Sequence, residues 1–288
     1  MTPCDGAAFQ NLAVVTSCYL AGGMAQRRAV MTACLHNVRL LGRFNAAMTE
    51  PRILVVHSRK GGVGKTTLAY ELAWMLQAPL VDLDWEGGGA TRSWGYRAED
   101  HQRCPLIDAL ERGSTPRPMA GRRTKRPDLV PSHPDLELYQ PDAETMAAAL
   151  RSWAGEWGHQ WVVVDTHPGA TPATSGALQV ANVVAVPVPL GVKDLHGTEL
   201  TVKELVGYPL ILVPNKIPPV PAGPMLDMLA RAIGDEDVKV APPIPAAQAV
   251  TTRRRRTAMT SEDPVPKALV KVVTALERVA RFIEEAAA

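Results

Sequence analysis

The chain has few cysteines, no long apolar run and almost no net charge. Its four cysteines, at positions 4, 18, 34 and 104, show no C-x-x-C spacing, which argues against a disulfide framework, a structural zinc site and a cysteine-bound iron–sulfur cluster. We therefore expect a protein of the reducing cytoplasm. No stretch reaches a length of about 18 consecutive apolar residues, which a membrane-spanning helix needs, so integral membrane association is not expected.

The composition is otherwise that of an ordinary globular chain. Of the 288 residues, 46% are apolar and 21% are charged, and the formal net charge is +2. A chain of this size is long enough for one large α/β domain. We expect that domain over residues 48–288. Residues 1–47 are expected to be a weakly ordered extension or sequence upstream of a start at Met48, and a small helical prefix that binds DNA or a partner is the alternative.

A glycine-rich segment directly after an apolar run is the most informative feature. Residues 58–67 read Ser-Arg-Lys-Gly-Gly-Val-Gly-Lys-Thr-Thr, and the preceding run, Ile53–Val56, is short and β-branched enough for a buried parallel strand. In such a loop the backbone N–H groups surround a phosphate chain, and the following helix adds its positive end. The expected nucleotide-binding residues are Lys60, Gly61, Gly62, Val63, Gly64, Lys65, Thr66 and Thr67.

The residue types in this loop predict a site for a nucleoside triphosphate with Mg²⁺. Lys65 is expected to neutralise the β- and γ-phosphates, and the Thr66 hydroxyl to ligate the metal. The pattern G-x-x-x-x-G-K-[ST] would place glycine at position 59, where this chain has Arg59, and Lys60 precedes the first glycine. A lysine at the mouth of the loop is well placed to meet a second subunit, and a solvated surface lysine is the plainer alternative.

From residue 51 onward, strand-like runs alternate with helical patterns. This alternation is typical of an α/β fold of the P-loop NTPase type, a doubly wound, mostly parallel sheet with helices on both faces. After the first strand, further strands are predicted at 79–84, 161–165, 183–188 and 210–213. Helices are predicted directly after the glycine-rich loop and at 194–206, 223–233 and 267–285. Ligands of such sheets bind at the carboxyl ends of the strands, where all the candidate site residues lie.

The segment KGGVGKTT resembles the deviant Walker A box of the ParA/MinD family of ATPases, and the resemblance extends over residues 51–285. In that family the extra lysine, here Lys60, reaches the nucleotide of a partner subunit. Residues 161–169 resemble the family's Walker B and switch II segment, in which Asp165 is expected to hold a water of the Mg²⁺ shell. His167 replaces a proline of that segment, and we interpret it as a tolerated loop substitution, with a catalytic role as the alternative.

Two further segments resemble motifs of the same family. By the match of residues 81–91, Asp84 is expected to orient the attacking water and to be catalytic together with the two loop lysines. Asp82 is expected to support the metal shell, or else to be a buried carboxylate that orders the phosphate loop. Asn215 matches the position that reads the adenine edge, and Pro243 falls in the following I-P segment that flanks the base, although Ala246 replaces the usual arginine.

Two basic runs stand out in this nearly neutral chain, at 122–126 and 253–256. Concentrated positive charge indicates a phosphate backbone as partner, and no aromatic residue interleaves with either run, which favours binding without base stacking or sequence readout. We expect DNA contact through Arg253, Arg254, Arg255 and Arg256, with 122–126 as the second candidate. The last predicted helix has a mixed-charge polar face and is expected to dock on the sheet rather than on a membrane surface.

The resemblance implies a DNA partition ATPase that uses ATP and Mg²⁺. It further implies a homodimer formed on ATP binding, non-specific DNA binding, stimulation by a ParB-type centromere-binding protein, and a nucleoid-associated place in the cytoplasm. The alternatives are a MinD-like positioning ATPase that acts on a membrane or another cargo, and a metabolic enzyme of the same fold, such as a nitrogenase-type iron protein or dethiobiotin synthetase. The missing cysteine pair counts against the iron protein.

Overall fold

A parallel β-sheet lies at the centre of the computed structural model, which describes residues 50–86, 89–219, 223–233 and 238–288. Its order is β3-β2-β4-β1-β5-β6-β7, and each neighbouring pair is parallel. The predicted N-terminal extension, residues 1–47, lies outside the described residues. The strands are β1 (Arg52–Val56), β2 (Pro79–Asp82), β3 (Asp128–Val130), β4 (Trp161–Asp165), β5 (Val183–Pro189), β6 (Leu210–Asn215) and β7 (Lys239–Val240).

Helices connect the strands and cover both faces of the sheet, so the predicted doubly wound fold is confirmed, with all described strands parallel. Short 3₁₀ turns lie at Ala98–Asp100, Arg122–Thr124, Pro134–Glu137 and Met259–Ser261. The helices are α1 (Lys65–Met75), α2 (Ala90–Trp94), α3 (Pro105–Arg112), α4 (Ala143–Trp157), α5 (Pro172–Gln179), α6 (Val192–Glu204), α7 (Gly223–Ile233), α8 (Gln248–Thr251) and α9 (Val270–Ala286).

Strand β1 is apolar from Ile53 to Val56 because both faces of this part of the strand are covered. Successive side chains of a strand point to opposite faces. Leu54 and Val56 accordingly join the core cluster that contains α1 and α9, whereas Ile53 and Val55 join the cluster that contains α3, α4 and α5. Each of these four side chains is at most 3% exposed. The central strand therefore holds together two helical layers.

Helix α9 docks on the sheet, as its periodicity predicts. Its apolar stripe packs into the same core cluster as α1. In the described part of the chain, no helix is both long enough and apolar enough to cross a membrane. The buried residues of α9 are Val272, Val273, Ala275, Leu276, Val279, Ala280 and Ile283.

The carboxyl ends of the central strands lie level with one another. In the pairing of β1 with β4, Val56 is opposite Asp165, and in the pairing of β2 with β4, Asp82 is opposite Asp165. The loop after β1 and the two strand-end carboxylates therefore meet at one edge of the sheet, where ligands of such folds bind. Strand β2 ends at Asp82, two residues before the predicted end, because the Asp84 N–H donates to Asp82 Oδ1 at 3.0 Å and turns the chain.

Glu71 anchors α1 to the segment that precedes α9. Its side chain is 3% exposed. One oxygen accepts the Met259 N–H at 2.7 Å, and the other accepts the N–H and hydroxyl of Thr260 at 3.0 and 2.7 Å. Burial raises the pKa of Glu71, and these hydrogen bonds oppose the shift. The adjacent Tyr70 hydroxyl donates to the Arg256 carbonyl oxygen at 2.7 Å, so two consecutive residues of α1 hold this segment.

Glu71→Ala should lower the free energy of unfolding by about 2–4 kcal/mol, because it leaves two backbone N–H groups without an acceptor in a buried place. Urea denaturation measures the change. Glu277→Ala, which removes an exposed glutamate of α9, is the matched control and should change the free energy of unfolding by less than about 0.5 kcal/mol. Equal effects of the two substitutions would show that the Glu71 contacts do not stabilise the fold.

Candidate functional site

The glycine-rich loop between β1 and α1 has a backbone that only glycine adopts easily. Gly62 and Gly64 have φ angles of +77° and +101°, in the left-handed region that penalises other residues. A Cβ on Gly64 would also overlap the Asn215 side chain. Of the other predicted loop residues, Val63 and Lys65 are buried, Thr66 is half-buried, and Lys60, Gly61 and Thr67 are exposed.

The first turn of α1 is open to an anion. Gly64 occupies the N-cap position and offers no side-chain acceptor, and the first turn contains no acidic residue. The first N–H groups of a helix have no partner within the helix and carry its partial positive charge. The helix therefore has a positive end that can bind an anion, and the sequence analysis assigns the phosphates to this end.

Lys65 lies buried between carboxylates. Its side chain is mostly enclosed, with the residue 6% exposed, and its Nζ lies 3.5 Å from the Lys60 carbonyl oxygen. Burial lowers the pKa of Lys65, and the negative charges of Asp165 and Asp84 act in the opposite direction. A bound polyanion would stabilise the charged ammonium further.

Asp165 fits the role of a residue that holds a magnesium shell. It is fully buried, and within the described residues neither of its oxygens has a hydrogen-bond partner of good geometry. Burial, followed by the charge of Asp82, raises the pKa of Asp165 well above its usual range, while the nearby Thr66 hydroxyl and Lys65 lower it. A buried carboxylate without a partner is costly unless a cation or donor joins it, and Thr66 and Asp165 offer the oxygen ligands that Mg²⁺ prefers.

Asp82 accepts backbone hydrogen bonds at both of its oxygens, and its predicted support of the metal shell stays a prediction. Its Oδ1 accepts the Asp84 N–H at 3.0 Å, and its Oδ2 accepts the Thr91 N–H at 2.6 Å. Both oxygens are therefore engaged in shaping the chain from Asp84 to Thr91. These contacts match the second role that the sequence analysis offers for Asp82, that of a buried hydrogen-bonding carboxylate. The segment that Asp82 orders is the one after β2, whereas the sequence analysis expected the phosphate loop. Burial raises the pKa of Asp82.

Asp84 lies next to His167, a contact that the sequence alone does not reveal. The His167 Nδ1 and Asp84 Oδ1 are 3.2 Å apart, and the two side chains are 11% and 12% exposed. The His167 ring stacks on Trp85, with ring centroids 3.9 Å apart and planes inclined by 6°. The sequence does not reveal this contact because 83 residues separate His167 from Asp84.

The mouth of the loop is tied to α6. Arg59, which stands where the strict motif has glycine, forms an ion pair with Glu204, the last residue of that helix. The Lys60 N–H donates to Ser58 Oγ at 3.2 Å, and the Lys60 residue is exposed. Glu204 is not among the residues predicted from the sequence, although its ion pair connects the loop to α6.

A cavity of about 280 Å³ lies beside the loop. Asn215 lines it, as the adenine assignment requires, but the Asn215 Nδ2 donates to the Val63 carbonyl oxygen at 2.8 Å. Pro243 is exposed and lies outside the cavity lining, whereas the two residues that follow it line the cavity. The lining includes Thr67, Leu68, Ile244, Pro245, Val272 and Leu276.

The arginine quartet divides into one half-buried and three exposed residues. Arg253 Nη2 lies 2.6 Å from Glu262 Oε1, with side chains 12% and 7% exposed, and it also donates to the Thr257 carbonyl and hydroxyl oxygens at 3.0 Å. Arg253 is therefore engaged inside the protein, which corrects its predicted place in the DNA contact. Arg254, Arg255 and Arg256 are exposed.

The second basic run is also partly structural. Arg122 donates to the carbonyl oxygens of Ala73 and Trp74 at the end of α1, at 2.9 and 2.6 Å, and lies over the Trp74 ring. Arg126 donates to the Trp94 carbonyl oxygen at 2.9 Å and lies over the Trp94 ring. Only the remaining basic residues of this run, at positions 123 and 125, are exposed.

The fold brings the two basic runs together. The Ala258 N–H donates to the Lys125 carbonyl oxygen at 2.8 Å, and Arg256 Nη1 lies 3.4 Å from the Gly95 carbonyl oxygen, next to the residue that Arg126 contacts. Arg256 also lines a cavity of about 160 Å³ together with Asp84. We call the exposed residues of the two runs the basic face: Arg123, Lys125, Arg254, Arg255 and Arg256.

His57 is buried between the end of β1 and the loop. It is 4% exposed, and its Nδ1 lies 3.0 Å from Thr166 Oγ1. Because the Thr166 hydroxyl donates to the Val56 carbonyl oxygen at 3.1 Å, the His57 Nδ1 is the donor in the first contact. Burial, together with the charge of Lys65, lowers the pKa of His57 from 6.5 to about 4.

Comparison with known proteins finds a family model that covers the glycine-rich loop and strands β1 to β5. The family described as AAA domain matches residues 51–206. The cell division protein PomZ of Myxococcus xanthus is 33% identical over 174 residues, which cover 56% of this chain and 53% of PomZ. The chromosome-partitioning ATPase Soj of Thermus thermophilus is 34% identical over 151 residues, which cover 51% of this chain and 58% of Soj. The chain thus spans somewhat more than half the length of these curated relatives.

Similar folds occur among solved structures. An ATP complex of Cyanothece McdA superposes with a TM-score of 0.62 at 16% identity, covering 83% of this chain and 96% of McdA. The MinD cell division protein of Aquifex aeolicus superposes with a TM-score of 0.62 at 18% identity, covering 81% of this chain and 97% of MinD. At these identities the likeness is one of fold.

The buried neutral His57 should make stability depend on pH. As pH falls below 6.5, the unfolded chain takes up the proton first, so stability is lost down to a pH of about 4. His57→Asn, whose amide can donate to Thr166 without titrating, should lose about 2 kcal/mol less free energy of unfolding than the wild type between pH 7 and pH 5. Urea denaturation at both pH values measures this, with the exposed His159→Asn as control. Parallel pH profiles for wild type and His57→Asn would contradict the assignment.

Proposed function

Because this chain belongs to the ParA/MinD family of P-loop ATPases, through its AAA domain, we propose that it is a DNA partition ATPase. It binds ATP with Mg²⁺, dimerises on ATP binding, holds DNA non-specifically and hydrolyses ATP slowly. The observation that carries the proposal is the meeting of a glycine-rich loop, the open first turn of α1 and an unpartnered buried carboxylate, Asp165, at one edge of the sheet.

In the proposed mechanism the phosphates of ATP lie on the loop and the N-terminus of α1. Lys65 neutralises the β- and γ-phosphates, and Thr66 and Asp165 hold Mg²⁺, directly or through its water shell. A Mg²⁺ ion held by these two residues would supply positive charge that offsets the negative charge developing on the phosphates during transfer. Asp84 orients the attacking water, and the base enters the cavity that Asn215 lines.

Within the described residues, no three His, Cys, Asp or Glu side chains come together as a metal cage. This agrees with the proposed metal role, because Mg²⁺ in such sites is bound by one or two protein oxygens together with substrate phosphates and waters. Lys60 is proposed to reach the nucleotide of a second copy of the chain. Its exposure at the mouth of the loop supports that role.

The basic face is proposed to bind the DNA backbone. Its five residues are exposed and come from two runs that the fold joins. The polar ends of such side chains attract phosphate without reading bases. The proposal includes association with the nucleoid and a ParB-type partner that stimulates hydrolysis. Two similar proteins are described as a chromosome-partitioning ATPase and a chromosome partitioning protein.

A MinD-like role on a membrane is the second candidate, because MinD shares the fold. The packing of α9 favours the DNA role. Seven apolar residues of its inner face are buried in the protein core, so this face is not available as a membrane anchor. A liposome sedimentation assay beside an ATP-dependent DNA shift assay separates the two: ATP-dependent sedimentation with vesicles and no DNA shift would favour the membrane role.

Substitutions of the two loop lysines should have different effects on ATP binding and dimerisation. Lys65→Ala removes the cation that faces the phosphates and should weaken ATP binding at least tenfold, about 1.4 kcal/mol. Lys60→Ala should keep ATP binding and lose ATP-dependent dimerisation and hydrolysis. Fluorescent-nucleotide titration and light scattering measure the two effects, and Lys271→Ala, at an exposed position of α9, is the control that should resemble the wild type in both.

Two results would overturn these assignments. Unchanged ATP affinity in Lys65→Ala would reject the loop as the phosphate site. A Lys60→Ala protein that dimerises with ATP as the wild type does would reject the role of Lys60 in a second subunit and leave it as a surface lysine.

The basic face should set the salt dependence of DNA binding. Each phosphate contact adds about −0.9 to the slope of log affinity against log salt. Substituting both Arg254 and Arg255 with alanine should make the slope shallower by about 1.8 per chain and weaken binding equally for unrelated DNA sequences. Substituting Arg278 and Arg281, two exposed arginines of α9, removes the same charge elsewhere and should leave the slope unchanged. If the double variant at Arg254 and Arg255 had the same slope as the control double variant, the DNA surface would lie outside the basic face.

A further inference from the structure

His167 is a buried residue that the proposed mechanism leaves without a task. It follows β4 in the loop after Asp165, is 9% exposed, and stands where the resembling family segment has proline. A proline has no side-chain donor, whereas this imidazole makes a specific contact. Its Nδ1 lies 3.2 Å from Asp84 Oδ1, and because a carboxylate only accepts, Nδ1 carries the proton.

The two oxygens of Asp84 have different surroundings. Oδ1 receives the His167 Nδ1–H and the Glu86 N–H, each at 3.2 Å. Among the described residues, Oδ2 receives no hydrogen bond. A carboxylate held at one oxygen keeps its plane and leaves the other oxygen to accept a hydrogen bond from water.

The His167 ring is itself fixed. It lies parallel to the Trp85 ring at a centroid distance of 3.9 Å, and such stacking restricts rotation about the bond that joins the ring to its side chain. The second ring nitrogen, Nε2, lies 3.9 Å from the Glu86 Oε1, which is too far for a hydrogen bond. Among the described residues, the polar group within hydrogen-bond distance of the ring is therefore the Asp84 carboxylate.

We propose that His167 is a positioning residue for ATP hydrolysis: its Nδ1–H holds Oδ1 of Asp84, so that Oδ2 orients the attacking water. The inference rests on the proposed function, because it assigns Asp84 to that water. In this role His167 neither takes nor gives a proton. It acts through Asp84, and Trp85 keeps its ring in place.

Substitutions at position 167 test which ring nitrogen matters. His167→Ala should lower kcat about tenfold or more, the range for residues that orient a functional ligand, with ATP affinity and Tm close to those of the wild type. Asn carries its amide nitrogen where Nδ1 lies, so His167→Asn should retain kcat within about threefold. Gln places its amide where Nε2 lies, so His167→Gln should be as slow as His167→Ala. The exposed His159→Ala is the control and should hydrolyse ATP normally.

A double substitution tests whether His167 acts through Asp84. His167→Ala should add no further loss of kcat in an Asp84→Ala background, because the group that it positions is already absent. A normal kcat in His167→Ala, an Asn variant as slow as the Ala variant, or a double variant slower than Asp84→Ala by the full single-variant factor would each overturn the proposal.

A measurement without ATP separates this inference from the proposed function. In ¹⁵N-histidine NMR spectra of the nucleotide-free protein, His167 should carry its proton on Nδ1 in the wild type and lose that preference in Asp84→Ala. A wild-type His167 protonated on Nε2 alone would overturn the positioning role even if ATP is hydrolysed. A wild type that binds no ATP would overturn the proposed function, while the NMR result would still decide the contact.

Discussion

The parallel hydrogen-bonding register of the central strands is the constraint on which the candidate site depends. It sets Val56 level with Asp165, and Asp165 level with Asp82. The glycine-rich loop and two buried carboxylates therefore leave the sheet at one edge. Burial raises the pKa of Asp165 and lowers the pKa of Lys65, so it disfavours the charged form of both groups. A bound cation would stabilise the charged Asp165 carboxylate, and a bound phosphate would stabilise the charged Lys65 ammonium.

Helix α1 links this edge to the basic face. Its first residue, Lys65, belongs to the loop, and about two turns later Tyr70 and Glu71 hold the segment around residues 256–260. Arg256 in turn borders the same cavity as Asp84. The proposed nucleotide site and the proposed DNA surface thus share one buried helix, and a close-packed helix transmits displacement between its ends more readily than a flexible loop does.

The sequence predicts the central strands, the loop and α9 because these elements carry strong local patterns: a continuous apolar run, closely spaced glycines and a helical apolar stripe. It does not predict β3 or β7, which have three and two residues and are too short to show a period. The basic runs were misleading in part, because Arg122, Arg126 and Arg253 find their partners at positions distant in sequence or in local turns. The Asp84–His167 contact depends on tertiary structure in the same way.

Titration of the full-length chain with ATP, in Mg²⁺ and in excess chelator, measures most directly whether this edge of the sheet is a nucleoside triphosphate site. Isothermal titration calorimetry should give one site per chain with Mg²⁺ and at least tenfold weaker binding after chelation, about 1.4 kcal/mol. The reason is that the triphosphate and the Asp165 carboxylate then face each other without a cation between them. Undetectable ATP binding, or an affinity that chelation leaves unchanged, would contradict the account.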